Sequence, residues 1–324
     1  MPESQKVLVT GSAGFIGFHI SKALLEKNIS VVGIDNYNDY YSVELKKARG
    51  AILKKFDNFQ EIVIDLSDYE KLNNVFENNN FSVVLNLAAQ AGVRYSLTNP
   101  FVYEKSNIAS FLNLLECVRH HSVKRFVYAS SSSVYGGNTK MPFSESDPVD
   151  TPVSLYAATK KANELMAHAY THLYGFQTVG LRFFTVYGPW GRPDMAMWLF
   201  ADAIKKGKPI NVFNYGEMKR DFTYIDDIVS GISAALFNDN LDQYEIFNLG
   251  NHKSEQLLGM IKIIENELGI EAEKNLMPMQ PGDVPESYAD IELAQTKLGF
   301  SPSTSISEGI PEFIRWFNSH PQFH

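Results

Sequence analysis

The chain has 324 residues, of which 44% are hydrophobic and 20% are charged, and this composition is typical of a globular protein with a packed core. Its net charge of −8 argues against binding to nucleic acid or to an acidic membrane, because neither gains from an anionic surface. A single cysteine, Cys117, excludes an intrachain disulfide, and with no apolar run long enough to span a bilayer we expect a cytoplasmic protein.

The first predicted element is a buried strand over residues 6–10, which is short, rich in β-branched residues and ended by glycine. A turn follows in which Gly11, Gly14 and Gly17 recur at intervals of three, and a helical pattern then begins. Glycines at this spacing permit a tight turn and close approach of the backbone to a diphosphate, which the N–H groups at the start of a helix attract. The pattern predicts a dinucleotide site.

The second predicted strand, 31–34, ends at Asp35, about twenty residues after the glycines. An acid at this position can accept hydrogen bonds from the hydroxyls of an adenosine ribose. It would repel the 2′-phosphate of NADP, so the sequence favours NAD. The residues expected to bind NAD in this region are Gly11, Ala13, Gly14, Phe15, Ile16, Gly17, Asp35 and Asn36.

Strands and helices continue to alternate, which predicts a parallel, doubly wound Rossmann-type α/β sheet with its ligand at the carboxyl ends of the strands. Further strands are predicted at 61–64, 83–87, 125–129, 178–183 and 244–248, and helices at 111–118 and 225–237. Another helix is predicted after Pro152; it carries Tyr156 and Lys160 and ends near Tyr174.

The composition of the sequence changes after Thr185, where the chain becomes rich in turn residues. We therefore predict a sheet domain formed by residues 1–186 plus about 224–250. A smaller lobe, formed by residues 187–223 plus 251–324, would close over the substrate.

Tyr156 and Lys160 lie four residues apart in a predicted helix, and this spacing places them on one face. A free phenol has a pKa of about 10, and a neighbouring ammonium favours its ionised form. The pair therefore suits a general base near neutral pH. His168 and His172 share the same spacing, but no third ligand is evident and we expect no metal.

These motifs together make the chain similar to extended short-chain dehydrogenases/reductases. Within that group the runs 130–136 and 182–194 resemble those of UDP-glucuronate 4-epimerases. The resemblance implies reversible inversion at C4 of UDP-glucuronate, giving UDP-galacturonate, with tightly held NAD. The remaining cofactor-binding residues expected from it are Asp65, Leu66, Leu87, Ala88, Ala89, Asn107, Tyr156 and Lys160.

In the mechanism that the resemblance implies, Tyr156 takes the 4-hydroxyl proton while the C4 hydride passes to NAD+. The 4-keto sugar then turns, and the hydride returns to its opposite face. Lys160 would bond the nicotinamide ribose and lower the pKa of Tyr156. Ser131 would bond the 4-oxygen, with Ser132 as its replacement if the register slips by one.

Two serines distinguish the chain from related enzymes that eliminate water or lose CO2. Related 4,6-dehydratases have Asp-Glu at the positions of Ser132 and Ser133, and UDP-glucuronate decarboxylases carry a glutamate there, whereas this chain has no acid at either position. The 4-keto intermediate of a glucuronate is a β-keto acid, so the carboxylate must be held away from the geometry for C–C cleavage. We expect Thr185 and Arg192 to do this.

The substrate would carry about three negative charges, which suit arginine side chains. The substrate-binding residues expected on this basis and from the resemblance are Arg94, Ser131, Ser132, Thr185, Arg192, Arg220 and Asp283. Related UDP-galactose epimerases have a further arginine where this chain has Gln280. The sequence therefore leaves open whether a second arginine binds the diphosphate.

Three other functions remain as alternatives at this point: 4-epimerisation of UDP-glucose or UDP-N-acetylglucosamine, decarboxylation of UDP-glucuronate, and redox sensing without catalysis. The helices near 104–120 and 154–174 also resemble those that pair in a four-helix bundle, so we expect a homodimer.

Overall fold

The computed structural model describes residues 5–280 and 283–324. Its strands, in chain order, are β1 (Lys6–Thr10), β2 (Ser30–Asp35), β3 (Phe59–Val63), β4 (Val83–Asn86), β5 (Arg125–Ser131), β6 (Gln177–Phe183), β7 (Thr185–Tyr187), β8 (Ile210–Val212), β9 (Lys219–Arg220), β10 (Phe222–Tyr224), β11 (Tyr244–Leu249), β12 (Glu255–Gln256), β13 (Lys274–Leu276) and β14 (Glu286–Ser287). The α-helices are α1 (Phe15–Glu26), α2 (Val43–Leu53), α3 (Tyr69–Glu77), α4 (Tyr95–Thr98), α5 (Phe101–Tyr103), α6 (Ser110–His120), α7 (Leu155–Tyr174), α8 (Ala196–Lys205), α9 (Ile225–Phe237), α10 (Leu257–Leu268), α11 (Glu292–Leu298) and α12 (Ile306–Ser319).

Seven strands form one parallel sheet in the order β11-β6-β5-β4-β1-β2-β3. The predicted doubly wound α/β fold is therefore confirmed. The strand order reverses at β1, between β2 and β4, and a crevice opens at such a point beyond the carboxyl ends of the strands. The register places Thr10 beside Asn86 and Asp35 beside Val63, so these ends meet at one edge.

Both faces of the sheet are buried, as parallel sheets require. Successive side chains of β1 point to opposite faces, so that Val7 and Val9 belong to one apolar cluster and Leu8 to the other. Helices α1, α2 and α9 contribute to the first cluster, while α3 and α6 contribute to the second. This alternation explains why β1 has a continuous run of apolar residues.

Three small sheets accompany the large one: β10-β7, β12-β9-β14 and β13-β8. Helices α8, α10 and α12 pack with them, while α9 packs against α1 and β11 extends the large sheet. Residues after 187 therefore contribute both to the large sheet and to a separate layer beside it. In the described parts of the chain, 5–280 and 283–324, no helix has the length and apolarity that a bilayer span needs.

The predicted helix that carries Tyr156 and Lys160 is α7, which begins at Leu155 and ends at Tyr174. Ser154 caps it, because its hydroxyl accepts a hydrogen bond from the Ala157 N–H at 3.1 Å. The predicted strand at 61–64 is wrong in its bounds, since β3 runs from Phe59 to Val63. Asp65 consequently lies in a turn, where its carboxylate accepts a hydrogen bond from the Ser67 N–H at 2.9 Å.

Candidate functional site

One large cavity, of about 1150 Å³, opens at the carboxyl ends of the central strands. Its lining includes most of the residues that the sequence predicted for cofactor and substrate: Gly11, Gly14, Phe15, Ile16, Gly17, Asp35, Asn36, Asp65, Leu66, Leu87, Ala88, Ala89, Arg94, Ser131, Ser132, Tyr156, Lys160, Thr185, Arg192, Arg220 and Asp283. Two predicted residues, Ala13 and Asn107, do not line it. The fold thus gathers side chains that lie up to 272 residues apart in the sequence, from Gly11 to Asp283.

The glycine turn forms one end of this cavity and leaves no room for side chains. Gly11 adopts a φ of 69°, and a Cβ on Gly17 would lie 2.0 Å from the carbonyl oxygen of Gly11. Helix α1 begins directly after Gly14, and no side chain caps its first turn. Its free N–H groups and positive dipole end therefore form an anion site that suits the diphosphate of a dinucleotide.

Asp35 stands beside this turn at the end of β2. Its carboxylate accepts hydrogen bonds from the Ala13 N–H at 3.1 Å and from the Tyr37 N–H at 2.9 Å. Ala13 therefore acts by holding Asp35 rather than by facing the cavity. The buried Lys46 also lines this end, and burial lowers the pKa of its ammonium to about 8. The helical periodicity of the sequence gave no indication that Lys46 lines this cavity.

Asn107 is buried in a π-helical segment, Glu104–Ala109, that precedes α6. Its side chain accepts a hydrogen bond from the Gln90 N–H at 2.8 Å and donates to the hydroxyl of Thr159 at 3.0 Å. It therefore joins the loop after β4 to α7, at the residue before Lys160. Asn107 therefore links two elements of the fold and does not form part of the cavity wall.

Tyr156 is half-buried and lines the middle of the cavity. Burial raises the pKa of its phenol, while the Ser131 hydroxyl and the charge of Arg192 act to lower it. The net direction is opposite to the one that the Tyr-Lys spacing predicted, because desolvation outweighs the favourable neighbours. Lys160 is buried, donates to the Ala129 carbonyl at 3.0 Å, and has its pKa lowered to about 8 by burial.

Ser131 is held by a neighbour that the sequence analysis did not assign to the site. The hydroxyl of Ser133 donates to the Ser131 oxygen at 2.9 Å, and the Ser133 N–H donates to the same oxygen at 3.2 Å. With its lone pairs used in this way, the Ser131 hydroxyl is left to donate its own proton toward an oxygen in the cavity. The repeated serines in the sequence were the available signal.

A buried ion pair supports this serine turn from behind. Arg182 donates to the two carboxylate oxygens of Glu164, with Nε–Oε1 at 2.8 Å and Nη2–Oε2 at 2.9 Å. The Ser130 hydroxyl donates to the same carboxylate at 2.7 Å. Arg182 also donates to the hydroxyl of Tyr135 at 2.9 Å. Because Glu164 lies one turn after Lys160, this network joins the serine turn to the catalytic helix.

Arg192 enters the cavity from the loop after β7, and an acid lies beside it. Its Nε and Nη2 donate to Asp194 at 3.0 and 2.5 Å, and the Tyr40 hydroxyl donates to the same carboxylate at 3.0 Å. The sequence could not show that Tyr40 and Asp194 meet, since 154 residues separate them.

Three charged side chains meet at another part of the cavity. Arg220 donates to Asp283 at 3.0 Å, and Arg94 lies 3.6 Å from the other oxygen of that carboxylate. Arg94 also lies over the ring of Phe213, 5.5 Å from its centre. An apolar end follows, lined by Phe200, Ile210 and Phe213, which the sequence analysis did not identify. Two arginines beside an aromatic pocket suit a nucleoside diphosphate.

The residues present therefore fit a dinucleotide at the glycine turn and a nucleotide sugar between Tyr156 and Phe213. Within residues 5–280 and 283–324, no three His, Cys, Asp or Glu side chains converge in a way that could hold a metal ion.

The sequence profile of the NAD dependent epimerase/dehydratase family matches residues 7–250 of the chain. The chain is 50% identical over 330 residues to UDP-glucuronate 4-epimerase 4 of Arabidopsis thaliana, a match that covers 97% of this chain and 75% of that protein. It is 43% identical over 332 residues to the probable UDP-glucuronate 4-epimerase of Rhizobium meliloti, covering 97% of each.

A solved structure resembles the fold at full length. UDP-glucuronic acid 4-epimerase from Bacillus cereus, in complex with UDP-glucuronic acid and NAD, superposes with a TM-score of 0.92 at 36% identity. The superposition covers 97% of this chain and 99% of that one. On the profile match and these identities, the chain belongs to the NAD dependent epimerase/dehydratase family.

Proposed function

We propose that the protein is an NAD-dependent UDP-glucuronate 4-epimerase, which interconverts UDP-glucuronate and UDP-galacturonate. The observation that carries the proposal is the setting of Tyr156, whose phenol has both the Ser131 hydroxyl and the Arg192 charge acting on it inside one cavity. Relatives of this chain along nearly its whole length are UDP-glucuronate 4-epimerases, which supports the same substrate here.

Tyr156 exchanges the proton of the sugar 4-hydroxyl. Burial raises the pKa of its phenol, whereas Ser131 and Arg192 favour the phenolate, which must be present before Tyr156 can take the hydroxyl proton. Ser131 donates to the 4-oxygen and fixes its position. NAD held by the glycine turn and Asp35 would supply the acceptor for the C4 hydride and its donor for return to the opposite face of the 4-keto sugar. Tyr156 then gives its proton back to the 4-oxygen.

The sugar carboxylate needs partners that keep it from leaving as CO2. Arg192 offers a guanidinium beside Tyr156, and Thr185 lines the cavity at the start of β7, the strand that precedes the loop of Arg192. Ser132 and Ser133, which also line the cavity, provide hydroxyls but no acid for elimination chemistry. A carboxylate held by these donors is fixed out of alignment with the 4-keto group, which favours inversion over decarboxylation.

The UDP portion would lie at the other end of the cavity. Arg94 and Arg220 would bind the diphosphate, and Asp283, which contacts both guanidiniums, would accept a hydrogen bond from the uridine ribose. Phe213 and Ile210 supply the apolar surface that a flat base requires. These contacts bind the part of the substrate that does not react, and so they would contribute equally to each 4-epimer.

The two-part organisation and the assembly complete the proposal. Residues 1–186 plus about 224–250 would bind NAD, and residues 187–223 plus 251–324 would bind the nucleotide sugar. Large apolar side chains exposed on α4, α5, α6 and α7 support a homodimer through a four-helix bundle: Leu97, Phe101, Leu112, Leu165 and Leu173. The nucleotide-sugar substrate and the buried thiol of Cys117 are in keeping with the cytoplasm, and the product would serve polysaccharide biosynthesis.

The test is incubation of the purified protein with UDP-glucuronate without added cofactor, followed by NMR of the products. Formation of UDP-galacturonate without CO2 is the expected result, and it would also show that NAD is held tightly. UDP-xylose or a 4-keto-pentose among the products would contradict the proposal and show that the protein decarboxylates UDP-glucuronate. No conversion, even with NAD supplied, would direct attention to UDP-glucose and UDP-N-acetylglucosamine.

A further inference from the structure

Arg49 is a buried arginine outside the cavity whose hydrogen bonds join two parts of the site. It lies on α2 and is 0% exposed. Its Nη1 donates to the carbonyl of Ala13 at 3.0 Å and to the hydroxyl of Tyr41 at 2.8 Å. Its Nη2 donates to the carbonyls of Trp190 and Gly191 at 2.5 and 2.9 Å. One guanidinium therefore connects the glycine turn to the loop that carries Arg192.

A buried guanidinium is costly unless its charge is compensated. The acceptors of Arg49 are backbone carbonyls and a phenol, and no carboxylate in the described part of the chain forms an ion pair with it. Its Nε has no hydrogen-bond partner among the described residues. A hydrophobic side chain would fill this position at a lower cost in folding free energy. The arginine therefore contributes its hydrogen bonds to the two loops.

The loop that Arg49 holds, residues 188–194, has an unusual backbone. Trp190 has a φ of 59°, which is unfavourable for a residue with a side chain. Its ring lies among aromatic side chains, with ring-centre distances of 5.6 Å to Phe18, 5.2 Å to Trp316 and 5.0 Å to His320. The ring is thus fixed from one side, while Arg49 holds the carbonyl groups from the other.

Arg192 follows Trp190 by two residues, so the backbone that Arg49 holds determines where the Arg192 side chain begins. We propose that Arg49 is a positioning residue that holds the 188–194 loop against the glycine turn, so that Arg192 restrains the substrate carboxylate and the keto intermediate is reduced rather than decarboxylated. This inference rests on the proposed function in so far as it concerns the product. The hold of Arg49 on the loop stands on the geometry alone.

The competing reaction defines what is measured. In the 4-keto uronate, the C5–C6 bond breaks, CO2 leaves, and the bonding electrons pass to the 4-keto oxygen as an enolate that is protonated at C5. The product is a UDP-4-keto-pentose, which hydride return converts to a UDP-pentose. The fraction of turnovers that release CO2 therefore reports how well the carboxylate is restrained.

The experiment compares Arg49→Lys and Arg49→Met with matched variants of Arg125. Arg125 is also a buried arginine that donates to backbone carbonyls, at 2.7 Å to Leu236 and 2.8 Å to Asn238, but it lies at the start of β5 and its acceptors are at the end of α9. Hydrogen exchange of the amides in residues 188–194 is measured by mass spectrometry on the full-length protein with its bound cofactor. Released CO2 and UDP-galacturonate are measured on the same samples.

We expect both Arg49 variants to exchange faster in this segment and to release a CO2 fraction about tenfold above that of the unmodified protein, because a small misplacement of a positioned group has a large kinetic effect. The lysine variant, which keeps the charge and reaches fewer carbonyls, should lie between the unmodified and methionine proteins. The Arg125 variants should change neither quantity. Unchanged exchange in the Arg49 variants, faster exchange with an unchanged CO2 fraction, or equal effects from Arg125 would each overturn the inference.

If both Arg49 variants fail to fold, Tyr41→Phe takes their place, because it removes one acceptor of the guanidinium. This variant should raise the exchange rate of residues 188–194 and the CO2 fraction, each by less than is expected of the Arg49 variants. No shift in this variant would then overturn the inference. If the unmodified protein does not convert UDP-glucuronate, the proposed function fails, while the exchange data still decide whether Arg49 holds the loop.

Discussion

Arg192 and Asp194 form a two-point ion pair inside the cavity, with Nε–Oδ1 at 3.0 Å and Nη2–Oδ2 at 2.5 Å. The pairing lowers the pKa of Asp194 against the effect of burial, so the acid is charged at neutral pH. Two of the guanidinium nitrogens are thus already engaged. A substrate carboxylate would have to bind the third nitrogen, or share the arginine with Asp194.

Replacing Arg192 by Met should remove the preference for UDP-glucuronate over UDP-glucose. We expect KM for UDP-glucuronate to rise about tenfold, because a charge-assisted hydrogen bond to the carboxylate is lost, and the CO2 fraction to rise with it. KM for UDP-glucose should change little. Steady-state kinetics on both sugars measure the effect. Arg119→Met, on α6 outside the cavity, is the control. An unchanged ratio of the two specificity constants would remove Arg192 from this role.

Replacing Ser131 by Ala should shift the pH dependence of catalysis. Ser131 acts to lower the pKa of Tyr156, so its loss leaves the burial that raises that pKa less opposed. Activity that requires the phenolate should then rise at higher pH, moving the acidic limb of the kcat/KM profile upward. We also expect kcat to fall by about 10²-fold. Ser233→Ala, on α9, serves as the control. A profile that stays in place would contradict this assignment.

Replacing Lys160 by Met should make the protein more stable at pH 7 while abolishing most activity. Burial lowers the pKa of Lys160 from its ordinary 10.5 to about 8, so the unfolded chain binds more protons than the folded one between these values. Stability of the unmodified protein therefore rises with pH across this window, and the methionine variant lacks this rise.

The difference in thermal midpoint between the two proteins should be largest at or below pH 7 and should narrow from pH 8 to 10.5. Calorimetry over that range measures it. Lys47→Met, at an exposed position on α2, should show no such convergence. A difference that is independent of pH would mean that Lys160 has the same pKa in the folded and unfolded chains, as a well-solvated side chain would.

Replacing Arg220 by Met should weaken binding of the whole nucleotide rather than slow the chemistry. Arg220 is paired with Asp283 at a distance from Tyr156, so its contacts to the diphosphate would be equal in the ground and transition states. KM and the inhibition constant of free UDP should both rise by about tenfold, with kcat nearly unchanged. Inhibition kinetics with UDP give both values. A fall in kcat without a change in UDP inhibition would place Arg220 elsewhere in the mechanism.

Replacing Phe101 by Glu should dissociate the proposed dimer. Phe101 is 83% exposed and Leu165 on α7 is 59% exposed, which is unfavourable for large apolar side chains unless a partner covers them. Sedimentation velocity should give a dimer for the unmodified protein and a monomer for Phe101→Glu. Leu276→Glu, at an exposed apolar position on β13, should leave the assembly unchanged. An unmodified protein that sediments as a monomer would exclude the bundle.

The fold was accessible from the sequence because the strands of a covered parallel sheet are short apolar runs that alternate with helical patterns. Strand β1 and helix α9 have the predicted bounds, since local periodicity encodes them. The bounds of β3 were wrong because Phe59 and Gln60 pair with Val31 and Val32, a contact that the local pattern does not contain.

The site was accessible only in part, because its electrostatics depend on distant residues. The spacing of Tyr156 and Lys160 predicted a lowered phenol pKa, but burial by the surrounding loops reverses that direction. Asp194 meets Tyr40 across 154 residues, and Arg49 meets Gly191 across 142, so neither contact has a local signal. Periodicity identifies which residues reach the cavity, and tertiary packing determines what each of them touches.

The central claim is that C4 is inverted by removal and return of the same hydride. The most direct measurement uses UDP-glucuronate carrying deuterium at C4, with the product analysed by NMR and mass spectrometry. UDP-galacturonate that retains the deuterium at C4, with no CO2 released and no added NAD required, is the predicted result. Loss of the label to solvent would contradict hydride return, and a labelled or unlabelled UDP-pentose would contradict restraint of the carboxylate.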